Sequence, residues 1–110
     1  MPLIGREKVT NRMPEDIYRA IAEPTRRIIL DELVDRDGQT LYEICARLIT
    51  KHGISMSRQA ISQHLDVLES VGLIKTERQG RCKFHWYDGT PLNVVYSRWP
   101  AIKRGEKHED

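Results

Sequence analysis

Ser57-Arg58-Gln59-Ala60-Ile61-Ser62-Gln63-His64-Leu65, running on through Asp66-Val67-Leu68 to Gly72-Leu73-Ile74, is the stretch that decides the fold. At about 100° per residue, Ala60, Ile61, Leu65, Val67, Leu68 and Val71 gather on one side of a helix. Arg58, Gln59, Ser62 and Gln63 fall on the other side, near its N-terminal end. An aliphatic back with an Arg/Gln/Ser front suits a DNA major groove, because Gln and Arg offer the bidentate hydrogen bonding that base edges require. Ser57 is the expected N-cap, and the N–H groups that follow it make a phosphate site. Residues 74–79, Gly80 and residues 81–87 then read as a basic β-hairpin. A polar-faced helix followed by a basic hairpin is the layout of a winged helix-turn-helix.

Composition permits this reading without deciding it. A chain of 110 residues, 39% hydrophobic and 31% charged, has room for one domain with a modest core. No apolar run approaches the roughly 18 residues of a membrane span. The N-terminal residues lack the apolar run of a secretory signal, so a cytoplasmic protein is expected. Two cysteines, Cys45 and Cys82, are too few for a disulfide framework. Net charge is only +2, but its distribution is uneven. Between Pro14 and Thr50 eight acids face five bases, whereas Lys75, Arg78, Arg81 and Lys83 on the hairpin face only Glu77. The positive charge therefore sits where a phosphate backbone would lie against a wing.

Outward from the central stretch, residues 1–13 read as a loose arm carrying Arg6, Lys8 and Arg12. Residues 14–100 read as the winged-helix domain, mainly α with about five helices and a two-stranded wing. Residues 101–110 read as a polar tail. Pro14-Glu15-Asp16 opens a first helix with Ile17, Tyr18, Ile21 and Ala22 on its apolar side. Pro24 ends it and starts a second helix to about Arg36, packing through Ile28, Ile29, Leu33 and Val34. Thr40 caps a third, whose stripe is Leu41, Ile44, Cys45, Leu48 and Ile49. Lys51 to Met56 reads as the turn before the polar-faced helix, longer than the usual three or four residues of this motif. Gln79-Gly80 is the expected two-residue hairpin turn, and Cys82, Phe84 and Trp86 then alternate with Lys83, His85 and Tyr87, so that one face packs on the helices. Thr90-Pro91 caps a last helix from Leu92 to about Arg98.

Three motifs in this order resemble the ArsR/SmtB-type, or arsenical-resistance-repressor, family. Ala20-Ile21-Ala22-Glu23-Pro24-Thr25-Arg26-Arg27-Ile28-Ile29-Leu30 is similar to its A-L-A-D-P-T-R-R-x-I-L opening. Ser57 to Leu68 resembles its recognition helix, and Gly72-Leu73-Ile74 with Arg78-Gln79-Gly80-Arg81 resembles its wing. The resemblance covers roughly residues 16–92. It implies a homodimer, built through the terminal helices, that reads a pseudo-palindromic operator in double-stranded DNA and represses transcription. The best-known members release DNA when metal or arsenical binds a Cys-Val-Cys motif in the third helix. Here Cys45 matches the first cysteine, but Arg47 stands at the second. A cation there removes a ligand and adds repulsion, so no metal ligands and no cofactor are assigned. The effector is left unknown.

The residues assigned to DNA are Ser57, Arg58, Gln59, Ser62 and Gln63 on the helix and Arg78, Arg81 and Lys83 on the wing. His64 reads as a packed, hydrogen-bonded histidine, and Cys45 as a small buried thiol. His52 and His85 read as solvated surface residues. Tyr87, Tyr96, Trp86 and Trp99 read as packing at the dimer interface, with an apolar effector pocket as the sharper alternative. A winged-helix protein-interaction module that never touches DNA is the competing reading, though such modules commonly lose the basic wing and polar face. No carboxylate pair, Ser-His-Asp set or phosphate-binding glycine loop argues for an enzyme.

Overall fold

The computed structural model describes residues 14–102; the expected arm with Arg6, Lys8 and Arg12, and the tail from Lys103 onward, lie outside the described residues. The elements run α1 (Pro14–Ala22), α2 (Pro24–Asp35), α3 (Leu41–His52), α4 (Arg58–Ser70), β1 (Ile74–Gln79), β2 (Cys82–Tyr87), a single 3-10 turn (Thr90–Leu92) and α5 (Asn93–Arg98). This is a winged helix-turn-helix. Among the described residues no helix is long and apolar enough to cross a membrane.

Local chemistry sets most of the boundaries. The α1–α2 corner is clamped from both sides. Glu23 accepts the Arg26 N–H at 3.1 Å. The Arg26 and Arg27 guanidiniums donate to the carbonyls of Ala20, Ile21 and Ala22 at 2.7–3.0 Å. Those carbonyls are the ones α1 leaves without intrahelical partners. Thr40 and Glu43 form a reciprocal capping box at the start of α3, at 2.9 and 3.2 Å. Its end is a Schellman closure: Gly53, at φ 66°, and Ile54 donate to Ile49 and Leu48. Lys51 and His52 therefore complete α3 rather than forming the turn, and the connection to α4 is only residues 53–57. Their side chains explain the extension, since both reach back to α2.

The core is one cluster from every layer: Ile17 and Ala20 of α1, Ile29, Leu30 and Leu33 of α2, Ile44 and Leu48 of α3, Ile61, Leu65 and Leu68 of α4, then Val71, Leu73 and Ile74. Several expected core residues lie outside it. Ala20, not Ala22, is the buried alanine of α1, while Val34 and Ile49 are 63% and 53% exposed and Val67 is also exposed. Val34 and Ile49 each follow a buried residue by one position and Val67 precedes one, a step of about 100° that carries each off a narrow stripe.

The hairpin is also turned relative to expectation. Gln79 pairs with Cys82, so the loop residues are Gly80 and Arg81 rather than Gln79 and Gly80. Positive φ is confined to Gly80, the first loop position, as a type II′-like turn requires. One face of β2 packs inward as expected, and it is the face of His85: His85 is buried and Cys82 and Trp86 are exposed. The cause is a bridge from the α2–α3 loop. Gln39 and His85 exchange both backbone hydrogen bonds, at 2.8 and 3.1 Å, making residue 39 a one-residue third strand. Trp86 then covers Gly38 from the other side; a Cβ there would sit 2.5–2.9 Å from three atoms of the indole ring.

A buried carboxylate ties these layers together. Glu32 is 1% exposed, at a position the apolar period of α2 did not mark. It accepts hydrogen bonds from the Arg47 Nε, from Gln39 Nε2 at 2.9 Å and from His52 Nε2 at 3.2 Å, with the Lys51 ammonium 3.7 Å away. Asp35 holds the outer ends of Arg47 and Lys51 at 3.1 and 2.8 Å. Burial pushes the Glu32 carboxyl up, but these donors outweigh it and hold the group below the usual glutamate range. A depressed folded-state value stabilises the fold above the unfolded value, about pH 4.3, and that stabilisation is lost as pH falls through the lower, folded value. In Glu32→Gln, urea unfolding at pH 7 is expected to show a loss of about 2 kcal/mol, reduced from a fully buried pair because Arg47 and Lys51 are partly solvated. As pH falls below about 4.3, the wild type should lose stability more steeply than the variant; parallel pH profiles would refute this role for Glu32.

Candidate nucleic-acid interface

Four of the assigned residues lie along one trough. Arg58, Gln59, Ser62 and Gln63 line it with Leu41 from the start of α3. Their spacing of i, i+1, i+4 and i+5 is that of one helical face. Asp66, at i+8, completes the row and was missed from the sequence, although the same spacing marks it. A carboxylate there repels phosphate but can accept a hydrogen bond from a cytosine amino group in the major groove. Ser57 is the N-cap of α4, its Oγ accepting the Ala60 N–H at 3.0 Å. That bond uses the oxygen and leaves the hydroxyl hydrogen to donate outward. With Thr40 capping α3, two helix N-termini border the trough, and their unpaired N–H groups favour anions.

On the wing, Arg78 stands directly across from Lys83 in the β1–β2 register, so both side chains lie on the face that carries His85. Like charges directly opposite one another are destabilising, and a bound anion relieves the repulsion. Arg81 occupies the loop. Arg81 and Lys83 border a cavity that Ser62 and Asp66 of α4 close from the other side, so the wing cations and the polar helix face share one edge. Arg78 borders neither depression, standing on β1 at the level of Lys83.

His64 stands apart from the polar face. Its Nδ1 is 3.2 Å from the Arg26 Nη1, and because a guanidinium only donates, Nδ1 accepts and the neutral ring carries its hydrogen on Nε2. It links α4 to the α1–α2 clamp. His52 and His85, expected at the surface, are both engaged: His52 on Glu32, and His85 buried with Nδ1 2.9 Å from the Gln39 carbonyl. Burial pushes the His85 imidazole below its usual value, against the opposing effect of the Gln39 hydrogen bond.

The third-helix residues do not fit a metal. Arg47, at the position of the second cysteine in the metal-binding motif, is held in the Glu32 ion pair. The Cys45 thiol is pushed up by burial, against the opposing Arg58 charge, which disfavours the thiolate that a metal needs. Among the described residues no group of three His, Cys, Asp or Glu side chains is arranged to hold an ion.

The aromatic residues divide into two groups. Trp86 sits over Gly38 and Tyr87 packs on the core. At the terminal helices the Tyr18 and Trp99 ring centroids are 6.0 Å apart, and the Arg98 guanidinium lies 4.5 Å above the Trp99 ring. Tyr96, Trp99 and Ile102 are each at least 60% exposed.

Comparison with known proteins agrees with this architecture. Residues 21–77 match a family described as a helix-turn-helix domain. The HTH-type transcriptional regulator YuzN of Bacillus subtilis is 43% identical over 89 residues, covering 81% of this chain and 97% of its own length. The transcriptional repressor SdpR of the same organism is 32% identical over 77 residues, 70% of this chain and 78% of that protein. Among solved structures, the ArsR family transcriptional regulator RHA00566 superposes with a TM-score of 0.62 at 28% identity, covering 79% of this chain and 86% of that one. The three sequence motifs, the winged fold and these likenesses agree: the chain belongs to the ArsR family of helix-turn-helix transcriptional regulators, not to a family of enzymes.

Proposed function

We propose that the protein is a homodimeric repressor that binds a pseudo-palindromic operator in double-stranded DNA through α4 and the wing. The observation that carries this reading is the shared edge, where Ser62 of α4 meets Arg81 and Lys83 of the wing beside two capped helix N-termini. Arg58, Gln59, Ser62 and Gln63 read base edges, Ser57 donates to a phosphate at the helix start, and Arg78, Arg81 and Lys83 grip the flanking backbone. Two copies join through α1 and α5, covering Tyr96, Trp99 and Ile102, because so many large apolar side chains together mark an association surface. The dimer sets its two α4 helices about one duplex turn apart, roughly 34–36 Å. The likeness to a relative named as a transcriptional repressor supports repression as the outcome. The protein acts in the cytoplasm.

Gel shifts on an operator selected from random duplexes test the roles separately. Gln63→Ala should relax base preference at one position in each half-site, at a loss on the order of 1–3 kcal/mol. Arg81→Ala should weaken all sequences about equally and make the slope of log K against log salt shallower by about 0.9 per lost phosphate contact. Unchanged binding in both variants would remove the helix and wing from the interface. Trp99→Glu should shift the chain from dimer to monomer in sedimentation and weaken operator binding; a stable dimer in that variant would place the contact elsewhere.

A further inference from the structure

A cavity of about 490 Å³ opens between the start of α3, α4 and β2, within the size range of small-molecule sites. It is lined by Leu41 and Leu65, by the charged Arg81, Lys83 and Asp66, and by the buried His85. The histidine is the unusual member. Its Nδ1 faces the Gln39 carbonyl, and since a carbonyl only accepts, Nδ1 carries the ring hydrogen. Nε2 of the neutral ring is then a bare acceptor, and the hydrogen bond of the ring among the described residues runs through Nδ1. An acceptor set among apolar walls selects a ligand that can donate to it. The lining bears two cations against one carboxylate, which favours a monoanion.

We propose that this cavity takes a flat aromatic monocarboxylate bearing a hydroxyl at its far end, and that its occupation releases DNA. The hydroxyl donates to His85 Nε2, the rings pack on Leu41 and Leu65, and the carboxylate meets Arg81 and Lys83. A rigid body serves both ends with little loss of conformational freedom. Release follows from geometry: Ser62, Arg81 and Lys83 border the cavity and also belong to the DNA surface described above, so anion and phosphate compete for the same cations. The release half rests on the DNA-binding reading; the binding half does not.

The test titrates the full chain with 6-hydroxy-2-naphthoate in amide NMR, without DNA, beside 2-naphthoate and 2-naphthol. Saturable shifts are expected at Leu41, Leu65 and His85, with each single-ended probe binding about tenfold more weakly. In His85→Phe a ring of similar bulk remains, the Gln39 carbonyl keeps its hydrogen bond from the backbone N–H at position 85, and the outward acceptor is gone, so 6-hydroxy-2-naphthoate and 2-naphthoate should bind equally. Shifts that do not saturate, that map to the terminal helices instead, or that ignore the hydroxyl in the wild-type chain would overturn the site. Fluorescence anisotropy on a bound duplex then tests release: DNA retained at saturating probe overturns competition while leaving the site. A chain that binds no duplex at all without probe refutes the DNA reading and the release together, and the NMR result still decides the cavity.

Discussion

A carboxylate held inside a small helical core is tolerable only when its neighbours neutralise and hydrogen-bond it, and that requirement organises this molecule. Glu32 lies on α2, yet its partners come from the α2–α3 loop, through Gln39, and from the last two turns of α3, through Arg47, Lys51 and His52. Satisfying one group therefore fixes the rotation of α3 against α2. It also fixes Gln39, whose Nε2 further donates to the Arg36 carbonyl at 2.7 Å. From Gln39 the constraint passes to the wing, because the same residue pairs through its backbone with His85.

The wing is thus attached to the helical body by a hydrogen-bonded chain rather than by apolar packing alone. Asp37 adds to it by accepting the Tyr87 N–H at 2.7 Å, and Thr76 donates to Glu69 of α4 at 2.9 Å. These polar links span the α2–α3 loop, both wing strands and α4. In the proposed complex a helix and a hairpin meet one duplex at fixed separation, and such links would hold that separation. Directional bonds define an angle that interchangeable apolar contacts leave loose. The same arrangement places His85 between the wing's anchor and the cavity beside α4, so the anchor and the proposed ligand site share a residue.

The ends of the domain follow a different logic. Arg26 and Arg27, part of one of the motifs that resemble the family, cap α1, and Arg26 also holds His64. Their positive charge serves the α1–α2 corner. That corner sets the direction of α1, whose Tyr18 stacks near Trp99 of the C-terminal segment. α4 and the terminal helices are in this way joined through a short run of named contacts.

How much was legible in the sequence follows from the range of each interaction. Caps and helix starts depend on residues within four positions, so Ser57, Thr40 and Pro24 were readable, as was the polar row Arg58, Gln59, Ser62 and Gln63. The fold class followed from the order of these signals. What sequence could not supply were contacts between distant positions. The burial of Glu32 depends on Arg47, 15 residues away, and the inward turn of His85 on Gln39, 46 away. Val34 and Ile49 carry the right chemistry for a core, but the neighbouring layer meets α2 and α3 through Leu33 and Leu48 instead. A linear period gives the existence of an apolar face and not its width. Local chemistry alone determined which segments are helices and where the polar face of α4 begins; the packing of one segment on another decided which way the wing faces, because that orientation is set by hydrogen bonds whose partners meet only once the chain has folded.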